Sequence, residues 1–391
     1  MTTEDETGGG VIGPEQRSAL NAPRSTHDAP RSVHHAPRSA HRASRSSLRM
    51  PAEWEPHDAT WIAWPHHEPD WPGKIAPIPW VYAEIVRVLH AFERVEILCH
   101  DDDVRSAAET HLRAHGVTRN YRLHLVPNDR VWLRDSAPTA VLDDRGEVIL
   151  ANWRFNAWAK YDNFARDARV GEEIARITGL ARVQPLREDT GDRVVLEGGA
   201  IDADGEGTLL VTEECLLAVV QQRNPGLTRD GYERLFNEYL GIRQTIWLGE
   251  GCVGDDTHGH IDDVARFVAP GVIVLAYEDD PSDDENHRRS VDNMDRLELA
   301  GASDGAFKVV KLPFPRAVTM RDERLPASYA NFYVANGVVL VPTFNDPNDR
   351  VALNTLADLF PDRRVVGVHA VDLVWGFGTL HCLTQQQPRG R

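Results

Sequence analysis

One cysteine stands apart by its neighbours. Cys382 lies nine residues from the C-terminus in WGFGTLHCLTQQQ, directly after a histidine. Gly376 and Gly378 let backbone come close to another group there, and Thr384 to Gln387 continue as a polar run. Cys99 in VEILCH and Cys215 in TEECLLAVV sit in apolar runs, as buried structural cysteines do. Cys382 has the setting of a reactive thiol; a small residue closing the last strand is the plainer alternative.

Four further segments carry polar residues that packing does not explain. In NDRVWLRDSAP, Trp132, Arg134 and Asp135 precede a proline. In VVLEGGAIDADGEG, Glu197 ends an apolar strand, where an acid costs free energy unless paired, so pairing and site duty both remain open. In GDDTHGHIDDVARF, His258, His260 and Asp262 are two apart and share one face of an extended chain. They lack the ligand spacing of known zinc motifs, so metal binding is disfavoured, while a structural His–Asp pair stays open. In ASYANFYVANG, Asn331 offers an amide at the start of a strand.

A thiol, a histidine and two or more carboxylates suit few reactions. A papain-like protease needs its cysteine at a helix N-terminus, and LTQQQPRGR after Cys382 is too short for a useful helix. Asp135 and Asp262 would also be surplus there, because anionic groups near sulfur disfavour thiolate. Carboxylates beside a cysteine make sense when the substrate is a cation. A guanidinium is planar, permanently charged, and donates hydrogen bonds in a fork that carboxylates accept. Its carbon is electrophilic but resonance-deactivated, which calls for a strong nucleophile held at fixed distance.

The elements that must position these groups alternate along the chain. Helical periodicity predicts helices over Trp80–Glu93, Val104–His115, Val170–Thr178, Asp230–Leu240, Asp284–Leu299 and Val351–Leu359. Short β-rich runs such as VEILC, TLLVT, VIVLAY and FYVANGVVLVP lie between them, which predicts an α/β fold. No nucleotide-binding glycine fingerprint accompanies them. Residues 1–49 hold a degenerate heptad (APRSTHD, APRSVHH, APRSAHR, ASRSSLR) without an apolar face; they are expected to be a disordered Arg/Ser/Pro/His-rich tail, with Met50 an alternative start. No long linker follows, so residues 50–391 are expected to form a single domain. The chain carries a net charge of −17, made of +2 on residues 1–49 and −19 on the rest, which argues against nucleic acid and anionic membranes as partners and suits a cationic ligand. Four cysteines without CxxC spacing, no secretory signal and no membrane-length apolar run point to the cytoplasm.

From Met50 to the end the chain resembles the agmatine deiminase family, which includes the bacterial peptidylarginine deiminases, within the guanidino-group-modifying (pentein) superfamily. The resemblance rests on MPAEWEPHDATWIAWP, WLRDSAP, FNAWAKY, LEGGAI, RNPG, GHID, LPFP, YANFYVANGVVLVP and LHCLTQQQP, in this order. It implies a five-fold pseudosymmetric α/β propeller of ββαβ-type modules around a central site. It implies Cys382 as nucleophile, His260 as general acid/base, and Asp135 and Asp262 as the carboxylates gripping the guanidinium. Trp132 and Asn331 are implied to contact substrate; Glu197 and Asp256 fall in shared motifs and join the substrate-binding candidates. Two departures bear on substrate: Phe377 interrupts a glycine run before the cysteine motif, and FNAWAKYDNF replaces a glycine-richer FNGWG.

The implied activity is agmatine deiminase: thiol-dependent hydrolysis of agmatine to N-carbamoylputrescine and ammonia, a step toward putrescine, with no metal or organic cofactor. Peptidylarginine or another small guanidine is the alternative substrate, for which Arg154 is the nearest basic candidate at the pocket mouth. A non-catalytic binder of cationic amines is the remote alternative, disfavoured because a binder has no need of the thiol. The expected partner is the small cationic guanidino substrate, and homo-oligomerisation is left open.

Overall fold

The computed structural model describes residues 47–304 and 307–391. The heptad segment through residue 46, expected to be disordered, lies outside the described residues. From residue 47 the chain is already engaged with the body: Arg49 exchanges backbone hydrogen bonds of 2.9 Å in both directions with Leu142, and its guanidinium clamps Glu55.

Strand pattern repeats five times. In each of these five sheets an antiparallel pair is joined, through a helical crossover, to a parallel third strand; among the described residues a sixth, two-stranded sheet pairs Thr319–Met320 with Glu323–Arg324. In the first sheet β1 (His57–Ala63) crosses by α1 (Ile78–Leu89) to the parallel β2 (Arg94–Cys99). A second crossover, α2 (Asp102–Ala114), adds the parallel β3 (Tyr121–Leu125). The second sheet pairs β4 (Thr139–Leu142) antiparallel with β5 (Val148–Ala151), and α3 (Val170–Thr178) returns the chain to β6 (Ala181–Val183). The third is β7 (Asp202–Ala203), β8 (Thr208–Thr212), α4 (Arg229–Leu240) and β9 (Gln244–Leu248). The fourth is β10 (Ala265–Ala269), β11 (Val272–Tyr277), α5 (Asp284–Asp304) and β12 (Lys308–Pro313). The fifth is β13 (Tyr333–Ala335), β14 (Val338–Thr343), α6 (Asn348–Leu359) and β15 (Arg364–His369). The last strand, β16 (Gln385–Pro388), lies antiparallel on β1 and gives the first sheet its order β16-β1-β2-β3.

Local chemistry sets these elements. α1 buries Ile78, Tyr82, Ile85, Val86 and Leu89, three and four apart, and so seals one stripe against the core, with about 1.5–3 kcal/mol from each fully buried large side chain. It stops at Leu89, short of the periodicity's reach to Glu93, because Glu93 is drawn inward to accept from Thr60 and Asn336. Asp101 caps α2 by accepting from the Val104 amide at 2.9 Å, and Thr228 caps α4 by accepting from Gly231 at 3.2 Å. Gly241 closes α4 at φ 72°, where a β-carbon would strike the Leu48 carbonyl. The run FYVANGVVLVP is two strands: Asn336 and Gly337 turn it into an antiparallel pair with Ala335 opposite Val338. Among the described residues, no helix is long and apolar enough to cross a membrane.

Candidate active site

Each of these five larger sheets has an antiparallel strand that is entered through a short polar segment. The short helix Leu133–Ser136 precedes β4 and carries Asp135. The 3-10 turn Gly198–Ala200, entered from Glu197, precedes β7, and the turn Ile261–Asp263, entered from His260, precedes β10. Asn331 precedes β13, and the short helix Leu380–Leu383 precedes β16 and carries Cys382. All these side chains are buried.

Close backbone approach brings the segments together. A β-carbon on Gly199 would lie 2.4 Å from His260 Nδ1 and 2.9 Å from Asp135 Oδ1, and one on Gly198 would lie 2.2 Å from the Arg134 carbonyl. The two glycines of LEGG are therefore the room into which WLRD and GHID fit. The Gly199 amide donates to Asp135 Oδ1 at 3.0 Å, and Trp158 Nε1 donates to its Oδ2 at 2.9 Å. Burial pushes the Asp135 carboxyl up to about 6 against the pull of His260.

His260 Nδ1 lies 3.8 Å from Asp135, and Nε2 lies 3.9 Å from Glu197. Among the described residues neither ring nitrogen has a direct hydrogen-bond partner. Burial works against a charged ring, yet Asp135, Cys215 and Glu197 hold it well above the ordinary histidine range. Behind the ring, Glu197 accepts from Arg223 Nε at 3.1 Å; burial opposes its charge, but Arg223 and His260 hold it down to about 2. The expected extended strand linking His258, His260 and Asp262 is absent. Gly259 adopts φ 92°, Asp255 accepts from the amides of Thr257, Gly259 and His260 at 2.8, 2.7 and 2.9 Å, and the chain then enters a 3-10 turn. Strand alternation fails because a side chain has captured those amides. His258 points to Glu214 instead, at 3.7 Å.

Asn331 holds the thiol segment. Its Oδ1 accepts from Thr379 Oγ1 at 2.7 Å and from the His381 and Cys382 amides at 3.0 and 3.3 Å, while Nδ2 donates to Cys382 Sγ at 3.1 Å. Cys382 Sγ sits 3.7 Å from Asp262 Oδ2. Burial, with Asp262, Asp263 and Asp135 adding to it, pushes this thiol well above its usual range. Burial also works against the Asp262 charge, but His381 Nδ1 at 2.7 Å holds the carboxyl below its usual range, and among the described residues Asp262 Oδ1 has no partner.

A cavity of about 230 Å³ opens onto these groups. Cys382, Asp135, Trp132 and Asp256 line it, with Phe377 and Tyr161 among the wall residues. His260, Asp262, Glu197 and Asn331 are not among the lining residues: His260 and Asp262 sit behind Asp135 and Cys382, and the side chains of Glu197 and Asn331 are spent on His260 and on the thiol segment. Trp132 packs against the cysteine loop so closely that a β-carbon on Gly378 would come within 2.7 Å of it. Asp256 takes bonds from Lys160 and from the Tyr161 hydroxyl. Arg154, the expected basic residue of the mouth, is exposed and makes a backbone bridge to Val195; Arg130 is the basic residue that reaches the cavity wall.

Sequence reasoning missed the frame behind the thiol. Glu53 accepts from His381 Nε2 at 2.7 Å, Arg134 at 3.2 Å and the Val334 amide at 2.7 Å, and pairs with Arg266 at 3.0 Å. Burial opposes its charge, and Arg266, His381 and Arg134 together hold it well below the carboxylate range. Arg266 in the apolar run VARFVA was the available signal, since a charge inside a buried strand demands partners. Three donors, Glu197, Cys215 and His260, also lie within 4.8 Å of one another, but Glu197 is already neutralised by Arg223.

The model of the Porphyromonas-type peptidyl-arginine deiminase family matches residues 49–388. The chain is 36% identical over 368 residues to the agmatine deiminase of Pseudomonas aeruginosa (strain LESB58), covering 88% of this chain and 96% of that one. It is 37% identical over 365 residues to the agmatine deiminase of Ectopseudomonas mendocina (strain ymp), covering 87% and 95%. Among solved structures it is similar to the agmatine deiminase of Enterococcus faecalis, with a TM-score of 0.79 at 30% identity over 89% of this chain and 99% of that one.

Proposed function

The chain belongs to the Porphyromonas-type peptidyl-arginine deiminase family, and we propose that it hydrolyses agmatine to N-carbamoylputrescine and ammonia. The observation that carries this reading is a buried thiol set among carboxylates on one cavity, an arrangement that opposes thiolate until a cation arrives.

In this reading the guanidinium lies between Asp135 and Asp262, its flat face against Trp132, with its carbon over Cys382 Sγ. Its charge offsets the carboxylates that suppress the thiolate. Cys382 gives its proton to solvent and attacks the carbon; one C–N bond breaks as His260, charged at the start, protonates the departing ammonia. The remaining S-alkylthiouronium is attacked by a water that passes its proton to His260. The C–S bond then breaks and returns the thiolate, and the ureido product leaves after the remaining hydroxyl proton passes to solvent. Glu197 and Asn331 act through other groups, the first on His260 and the second on the sulfur. Asp256 stands at the mouth.

The same reading arranges the five sheets as blades of a five-fold pseudosymmetric α/β propeller with the site on its axis. Support comes from the five polar segments, each entering an equivalent strand. Residues 50–391 would then form one catalytic domain, and four free cysteines suit a reducing cytoplasm.

Ureido product measured with agmatine, arginine and a peptide ending in arginine tests the substrate. Agmatine should be preferred, because Asp70, Asp135 and Asp256 line the cavity against Arg130 alone among its cationic residues. Preference for the peptide would overturn the choice of substrate. Mass spectrometry after 2-chloroacetamidine tests the chemistry, and absence of a Cys382 adduct would overturn it.

A further inference from the structure

The cavity holds a third carboxylate that the mechanism does not use. Asp70 ends the short turn Glu68–Asp70, is 7% exposed, and lines the same cavity as Cys382. Its Oδ1 accepts from Arg130 Nη1 at 2.6 Å, while its Oδ2 is buried and, among the described residues, has no hydrogen-bond partner. Arg130 is shared with Asn163 at 3.2 Å and lies 4.2 Å over the Tyr161 ring. Two indoles link Asp70 to the thiol. Trp71, the next residue, is anchored to the Leu373 carbonyl at 3.0 Å and packs on Trp132 at 5.6 Å, and Trp132 packs on Gly378 beside Cys382. Burial pushes Asp70 up to about 7, with Arg130 opposing and Asp256 adding to the rise, and a cation beside it relieves that cost.

We propose that Asp70 is the receptor for the ammonium end of the substrate, accepting a hydrogen bond at the oxygen that Arg130 leaves free. This rests on the reaction proposed above and narrows it to guanidines that carry a second cation on a short alkyl tail. Asp256 is less suited, because Lys160 and the Tyr161 hydroxyl already occupy its two oxygens. A carboxylate tail directed at Arg130 would face Asp70 as a like charge, which builds discrimination against free arginine into the same contact.

The test compares agmatine with 1-butylguanidine, which keeps the guanidine and lacks the amine, in the wild type and in Asp70→Asn, Asp70→Glu and Asp256→Asn. Asp70→Asn should raise the KM for agmatine about tenfold to a hundredfold, as loss of a charge-assisted hydrogen bond does, and leave kcat/KM for butylguanidine within about threefold. Asp70→Glu should keep the preference for agmatine. Equal losses on both substrates in Asp70→Asn would overturn the proposal, as would a preference abolished by Asp256→Asn and untouched by Asp70→Asn. Should Asp70→Asn fail to fold by circular dichroism, Asp70→Ser is read on the same ratio. A wild type that turns over neither guanidine refutes the reaction itself, an outcome distinct from a ratio that ignores Asp70.

Discussion

Replacing Asp262 by asparagine should make Cys382 more reactive toward a neutral reagent while destroying turnover. Asp262 Oδ2 lies 3.7 Å from the sulfur and is buried with it. A unit charge at that range is worth on the order of 4 kcal/mol at an effective dielectric near 20, or about three powers of ten in the thiol–thiolate equilibrium. A more acidic thiol is also a weaker nucleophile, with a Brønsted coefficient of about 0.5, so roughly half of the logarithmic gain is lost. The expected result is about a thirtyfold faster alkylation by iodoacetamide at pH 8 in Asp262→Asn, followed by mass spectrometry on Cys382. Agmatine turnover should fall at least about a thousandfold in the same protein, because one arm of the guanidinium grip is gone. Iodoacetamide carries no charge and needs no grip, so the two readouts separate. An alkylation rate equal to or below that of the wild type, in a variant with native circular dichroism, would refute the view that Asp262 suppresses the thiolate.

Cys382→Ala should leave less than a few per cent of turnover, and more than that would exclude covalent catalysis through this sulfur. The kcat/KM for agmatine should fall tenfold per pH unit below about 6, because the Asp135 carboxyl, raised to about 6, is charged above that pH and neutral below it; a profile flat to pH 5 would contradict its role. Stability runs the opposite way: with its pKa higher folded than unfolded, Asp135 stabilises the fold less as pH rises from about 4 to 6. Phe377 sits at φ 65°, where a side chain costs about 1–2 kcal/mol and glycine does not, so Phe377→Gly should change stability by less than about 1 kcal/mol net while raising kcat/KM for arginine peptides relative to agmatine. A chain beginning at Met50 loses the Arg49–Leu142 bridge and the Glu55 clamp, and should be about 1–2 kcal/mol less stable by chemical denaturation than one beginning at Ser47.

The fold was readable where periodicity was strong. α3 is found at Val170–Thr178 as the pattern requires, and α4 begins one residue ahead of it. Sequence spacing could not order the site, because its residues come from segments held by contacts far apart in the chain. Cys382, His260, Asp135 and Asp262 were readable as chemistry, since each is a polar side chain whose packing role is not evident from its run. Their mutual placement was not. His258 was grouped with His260 on an assumed strand, and the turn organised by Asp255 separates them. Glu53 and His381 were passed over because their partnership joins the two ends of the folded chain, and neither end hints at it alone. Arg154 was chosen as the nearest base in sequence, whereas Arg130 reaches the cavity through its pairing with Asp70.

The pairing of β16 with β1 sets the order in which this protein can become competent. His57 faces Pro388 across that ladder, and Cys382 lies just ahead of its closing strand. During synthesis the Cys382 segment follows the other four polar segments. Joining such distant positions is also an entropically slow event, so catalytic competence should trail the acquisition of helix and sheet. Turnover should therefore report the closure of β16 on β1.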